Sequence, residues 1–233
     1  MTDFDLDWII SVDDHVIEPP HVWQEYVPAK FRDHAPRMTV EDGVELWHWD
    51  GKVYPTSGMN AAAGRDREEF SPLPLTYEEM RPGCYDPKAR VEDMDRDHVL
   101  ASMPFPTFPR FAGPLFSECA DRDLGLACIR AYNDWMIDEW CGTAPGRFIP
   151  LVIVPLWDGR LAAAEVERCA AKGEWGSRWR RIRIYRGLRK WCRSSCRRGA
   201  MPTNRHRQTR RKRWRCTCCD HHELPPSRWM AFG

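Results

Sequence analysis

What the chain lacks narrows the possibilities first. No apolar run approaches the 18 or more residues of a membrane span, and the acidic, polar N-terminus lacks the basic and apolar regions of a secretory signal. A reducing cytoplasm is therefore the expected compartment. The ten cysteines fall five before and five after Gly173. Cys84, Cys119, Cys128, Cys141 and Cys169 are scattered and read as buried free thiols rather than a disulfide framework. After Gly173 acid is nearly missing: three Asp/Glu stand against 18 Lys/Arg, about +15. Residues 1–173 hold 17 basic and 31 acidic side chains, about −14, so the overall charge of +1 hides a split. Such asymmetry points to an arm for nucleic acid or a membrane surface. Here the hydrophobic pattern stops at the same residue as the charge changes.

What is present before that point alternates strand and helix. An apolar, β-branched run from Trp8 to Val12 predicts a buried first strand, and a short helix opens after Pro19-Pro20 and ends near Pro28. Residues 38–55 alternate polar and apolar around Asp42-Gly43 and Asp50-Gly51, which predicts a hairpin excursion. ARVEDMDRDH predicts a short helix leading into a second strand, Val99–Phe105. Between about Asp121 and Cys141, Leu124, Cys128, Ala131 and Trp135 recur at helical spacing, with Gly142 placed to stop the helix. FIPLVIVPL (148–156), apolar on both faces, predicts a strand inside a parallel sheet. Asp158 can then cap a helix with Ala162, Val166, Cys169 and Ala170 on one stripe. This rhythm means an α/β protein. A fourth strand is due just after Gly173, and none can be read there.

The chemistry-bearing cluster follows the first strand. Side chains alternate along an extended backbone, so Asp13 and His15 share one face and Asp14 takes the other. A carboxylate and an imidazole side by side at a strand tip are two donors for a divalent metal, or the polar chemistry of a surface turn. Asp14 reads as an orienting carboxylate. Glu18 faces either a site mouth or its own loop. Asp93, Asp95 and Asp97 lack the glycine and distal glutamate of a calcium loop and read as a solvated helix face. His21, His34 and His48 read as surface groups.

Three stretches, ISVDDHVIEPPHVW, RVEDMDRDHVLASMPFPTFPRF and NDWMIDEWCGTAPGRFIPLVIVPLWDGRLAAAEVERCAAKG, resemble the amidohydrolase-related superfamily, in the branch of aminocarboxymuconate-semialdehyde and γ-resorcylate decarboxylases. The resemblance extends over about residues 8–173. It implies the N-terminal portion of a (β/α)8 TIM barrel with a hairpin insertion after the first strand. It also implies a divalent metal, zinc foremost, at the C-terminal mouth, a small carboxylated or cyclic substrate, and hydrolysis or non-oxidative decarboxylation, often in a homo-oligomer. Asp13 and His15 would hold the first-strand ligand positions, where many relatives carry HxH or ExH. The family's later histidines and terminal aspartate have no counterpart here, and a full barrel takes about 250 residues. Little or no activity is expected from this chain.

Residues 174–233 are expected to be an irregular, frame-shifted or disordered tail, with a weak return of family character at CDHHELPP (219–226). A second reading takes the tail as a functional arm. Cys192, Cys196, Cys216, Cys218 and Cys219 with His206, His221 and His222 could bind zinc, although the spacings match no finger or ribbon. Arg210, Arg211, Lys212 and Arg213 beside Trp214 could contact phosphates and stack on a base, giving at least non-specific binding to nucleic acid.

Overall fold

A computed structural model gives the architecture. It describes residues 9–56, 62, 64–71 and 76–172. The chain divides into two units, Met1–Gly173 and Glu174–Gly233, and every described residue lies in the first. The cysteine, histidine and arginine clusters of the tail, and its expected irregularity, therefore lie outside the described residues.

The fold is α/β with a parallel and an antiparallel sheet, an arrangement resembling part of a barrel. Strand β1 (Ile9–Val16) pairs in parallel with β5 (Val99–Pro106). Between them come the short helix α1 (His21–Tyr26), the meander β2 (Arg37–Glu41), β3 (Val44–Trp49) and β4 (Lys52–Pro55), and helix α2 (Pro87–Arg96). Both turns of the meander use the expected Asp-Gly pairs. Asp42 and Gly43 have φ of 51° and 79°, and Asp50 and Gly51 have φ of 50° and 71°. Two successive left-handed residues are what a type I′ hairpin turn requires.

After β5 come α3 (Pro114–Ser117), α4 (Arg122–Trp135), a π-helical turn (Met136–Trp140), the single turn α5 (Cys141–Thr143) and α6 (Gly159–Lys172). Asp121 caps α4 by accepting from the N–H groups of Asp123 and Leu124. The stripe Leu124, Cys128, Ala131 and Trp135 is buried as its spacing predicts. Trp23 of α1 lies against it, its indole N–H donating 3.2 Å to the Cys128 carbonyl and its ring meeting Trp47, Phe108 and Phe116. All five cysteines of this unit are free and buried. No described helix is long and apolar enough to cross a membrane.

Three expectations change. Strand β1 is longer than predicted and is not buried: Ile9, Ile10 and Val12 are 47%, 37% and 59% exposed. Among the described residues its one strand partner is β5, and register shifts at Ile9–Ile10 and Ser11–Asp14 break the pleat that would sort its faces.

The strand expected at 148–156 forms a single bridge, Phe148 with Ser102. Ser102 donates to the Arg147 carbonyl and accepts from the Ile149 N–H, at 2.9 and 2.8 Å. The next rung would need an N–H from Pro104, which has none. The Asn133 side chain takes over, accepting from the Ile153 N–H and donating to its carbonyl, each at 2.9 Å.

Helix α6 forms as predicted behind its Asp158 cap, but Glu165 and Cys169 are its buried residues, while Ala170 is exposed.

Candidate functional site

The tip of β1 places the predicted donors in the open. Asp13 and His15 are both exposed. His15 pairs with Phe105 across the sheet, the two rings 6.0 Å apart. Four residues of β1, Ser11 to Asp14, span only three of β5, Ser102 to Pro104, so Asp13 sits within a bulge. Such bulges re-aim side chains.

Asp14 turns the other way and is tied down. Its carboxylate accepts from the Ser102 hydroxyl and lies 3.8 Å from the Arg90 guanidinium of α2. Arg90 also donates to the carbonyls of Gly83 and His15, at 2.5 and 2.8 Å. One arginine thus fixes α2 against the tip of β1, and Asp14 orients that contact. Asp93 belongs to the same layer and is no solvated group: Arg81 grips it with two hydrogen bonds of 2.7 and 2.6 Å. Those bonds hold its carboxyl below the ordinary range against a modest opposing effect of burial. Asp95 pairs with Arg147 at 2.7 Å. His21 meets Glu139 at 3.0 Å and His48 meets Glu41 at 2.9 Å, so neither is a free surface imidazole. His34 is exposed, as expected.

Glu18 is the residue whose environment the sequence did not settle. It is 1% exposed, and its two carboxylate oxygens accept the consecutive N–H groups of Thr107 and Phe108, each at 2.9 Å. The loop after β1 is thereby clasped to the loop after β5. Tyr77 adds a 2.5 Å hydrogen bond to the Glu18 carbonyl. Burial pushes the Glu18 carboxyl up to about 7, with the backbone N–H groups of Phe108 and Thr107 opposing the rise.

A zinc ion in a structural or catalytic site takes three or four protein ligands. Among the described residues no group of three or more His, Cys, Asp or Glu side chains is placed to hold one. Asp13 and His15 are, among the described residues, two donors without a third. The described donor set does not fit a resident metal, and no chemical step can be drawn through one.

Comparison with known proteins places this geometry. An amidohydrolase from Mycobacterium avium subsp. paratuberculosis K-10 is similar in fold, with a TM-score of 0.54 and 22% identity over 71% of this chain and 47% of that one. This chain thus spans about half the length of that structure. Two 2,6-dihydroxybenzoate decarboxylase structures, one in complex with 2,6-dihydroxybenzoate and one from Rhizobium, each give a TM-score of 0.36 at 17% identity. They cover 70% of this chain and 36% and 35% of theirs. No curated protein matches. The family model described as amidohydrolase matches residues 21–210, starting beyond Asp13 and His15 and running past Gly173. On that match, which covers most of its length, the chain belongs to the amidohydrolase family.

Proposed function

We propose that this chain carries the first-strand share of a metal-dependent amidohydrolase-type site, with Asp13 and His15 as its donors. The intact reaction would be hydrolysis or non-oxidative decarboxylation of a small carboxylated or cyclic substrate. In an intact relative a divalent ion, zinc foremost, would supply Lewis-acid chemistry, and Asp13 and His15 would be two of the donors that such a site requires. What supports this reading is that Asp13 and His15 lie toward the C-terminal end of a strand paired in parallel, where barrel enzymes keep their ligands. Its second half is that this chain alone binds metal weakly and turns over little substrate, in keeping with a described set of two donors, Asp13 and His15. Residues 174–233 are proposed to be a separate, frame-shifted segment. Translation of the other two frames of the coding DNA past the Gly173 codon should then continue the barrel with a histidine-bearing strand.

Titrating the full chain with Zn²⁺ against a chromogenic chelator tests the site. Weak binding that falls further in His15→Ala and is unmoved by Cys216→Ser/Cys218→Ser is expected, with no turnover across a panel of small cyclic and aromatic acids. Tight stoichiometric binding lost only in the cysteine variant would instead favour the tail as a zinc arm. Robust turnover abolished by His15→Ala would overturn the inactive reading and keep the site.

A further inference from the structure

Zinc needs more donors than the described tip of β1 supplies, and the neighbouring groups that could complete the set are already engaged. Asp14 accepts from the Ser102 hydroxyl and faces the Arg90 guanidinium at 3.8 Å. Both carboxylate oxygens of Glu18 accept backbone N–H groups inside the fold. His21 is taken by Glu139 at 3.0 Å. Asp13 and His15 differ from all three. Both are exposed, and among the described residues neither side chain makes a hydrogen bond or an ion pair. Two residues apart, their Cα atoms are separated by no more than about 7 Å, a span that two side chains can close on one ion. Each copy of the chain thus presents two donors outward and keeps Asp14, Glu18 and His21 occupied.

The surroundings of the pair are those of a contact surface. Val12, next to Asp13, is exposed, and Phe111 is 70% exposed. Phe111 stacks on Phe105 with ring centroids 5.1 Å apart at 18°, and Phe105 meets the His15 ring at 6.0 Å. An open aromatic stack therefore runs up to the imidazole, and aromatic surface left open beside polar groups is what interfaces cover. Charge decides how a second copy can meet it. Bringing two such tips together sets Asp13 of one copy against Asp13 of the other, and like charges facing across an interface oppose association. A divalent cation between them reverses the sign. Two-fold symmetry then supplies the ligand count: two copies offer two carboxylates and two imidazoles, the four donors of a tetrahedral zinc site.

We infer that this chain forms a zinc-bridged dimer, in which Asp13 and His15 of each of two copies hold one ion on the two-fold axis and Val12 and Phe111 are covered around it. This bridge rests on the proposed reading of Asp13 and His15 as donors and takes it further, because a second copy makes good what one copy lacks. The mixed nitrogen and oxygen set selects zinc over magnesium, which takes oxygen ligands. Since the ion offsets the repulsion, the chain is monomeric without it.

Sedimentation velocity of the full chain in EDTA, in Mg²⁺ and in Zn²⁺, with the zinc bound per chain measured alongside, tests the bridge. Zn²⁺ should convert monomer to dimer at one ion per two chains, EDTA should reverse the change, and Mg²⁺ should do nothing. His15→Ala should stay monomeric at zinc concentrations that dimerise the parent. Asp13→Asn, which keeps the side chain's shape, should raise the zinc required by about tenfold or more, since even groups that only orient a ligand are worth that much. Both positions are exposed, so both variants should melt with the parent. Cys216→Ser/Cys218→Ser should dimerise like the parent. One ion per chain on a monomer, lost in His15→Ala, would overturn the bridge and leave the donor reading intact. A dimer that persists in EDTA, that forms equally in Mg²⁺, or that needs Cys216 and Cys218 overturns the bridge as well. If His15→Ala binds zinc and dimerises like the parent, or if the parent takes up no zinc, the bridge and the donor reading fall together.

Discussion

Two buried glutamates in this unit have opposite fates. Glu18, where the loops after β1 and β5 meet, and Glu165, where α6 meets α4, are 1% and 0% exposed. Burial acts on both in the same direction, favouring the neutral acid. At Glu18 the partners are two neutral backbone N–H groups, and the carboxyl is pushed up to about 7. At Glu165 burial is outweighed. Arg168 donates at 2.7 and 2.9 Å, Asn133 at 2.8 Å and Arg130 at 3.3 Å, and the carboxyl ends below its ordinary value. The difference lies in a cation, not in depth. A carboxylate with a guanidinium against it locks two helices, whereas one held only by amides sits close to a change of charge.

Removing the locked glutamate should do the most damage. Glu165→Ala removes the acceptor that Asn133, Arg130 and Arg168 share at the interface of α4 and α6, leaving Asn133 its bonds to Ile153 and Arg168 its pair with Asp134, and breaking a buried pair costs about 3–5 kcal/mol. Arg130 and Arg168 reach solvent, which favours the lower end of that range. A denaturant midpoint within error of the parent would show that the cluster does not lock the helices.

The pH dependence sharpens the contrast. The folded pKa of Glu18 lies above its ordinary 4.5, so its favourable contribution is complete below about pH 4.5 and is lost as pH rises through about 7. The loss amounts to about 3 kcal/mol at most. Glu165 runs the opposite way: its contribution is present above the ordinary carboxylate range and is lost as pH falls through its lowered folded value. Unfolding measured across pH 5 to about 8 should therefore show a decline in the parent that is largely absent in Glu18→Gln. The idea fails if both proteins decline alike.

The smallest effect tests whether α6 depends on its own cap or on Glu165. Asp158→Ala removes the acceptor for the Arg160 and Leu161 N–H groups, at 2.8 and 3.0 Å, and should cost about 1 kcal/mol. A larger loss would mean that the cap, and not the ion cluster, seats the helix.

Much of the scaffold was legible because it rests on local rules. Asp42-Gly43 and Asp50-Gly51 specify their turns by backbone conformation alone, and the stripe from Leu124 to Trp135 needs only a 3.6-residue period. What escaped depends on partners distant in sequence. The bulge at Asp13 follows from register against β5, and the loss of the 148–156 ladder follows from Pro104 on a different strand. Glu165 was passed over because a charged residue does not join an apolar stripe, yet Arg168 three residues on was a visible hint of pairing. Glu18 was left between two roles, and only the fold brings it against Thr107 and Phe108, 89 and 90 residues away. At the candidate site the spacing of Asp13 and His15 suggests a shared face, but spacing alone does not reveal the register shift against β5 that interrupts the strand at Asp13.

Pro104 and Pro106 have a consequence for how molecules meet one another. On the side of β5 where Ser102 bridges Phe148, alternate residues offer carbonyls but no N–H. A strand from a neighbouring molecule arriving there would find half its hydrogen bonds unanswerable. That edge cannot template a growing intermolecular sheet. The same two residues that cut the internal ladder short make this side of the protein a poor seed for fibrils.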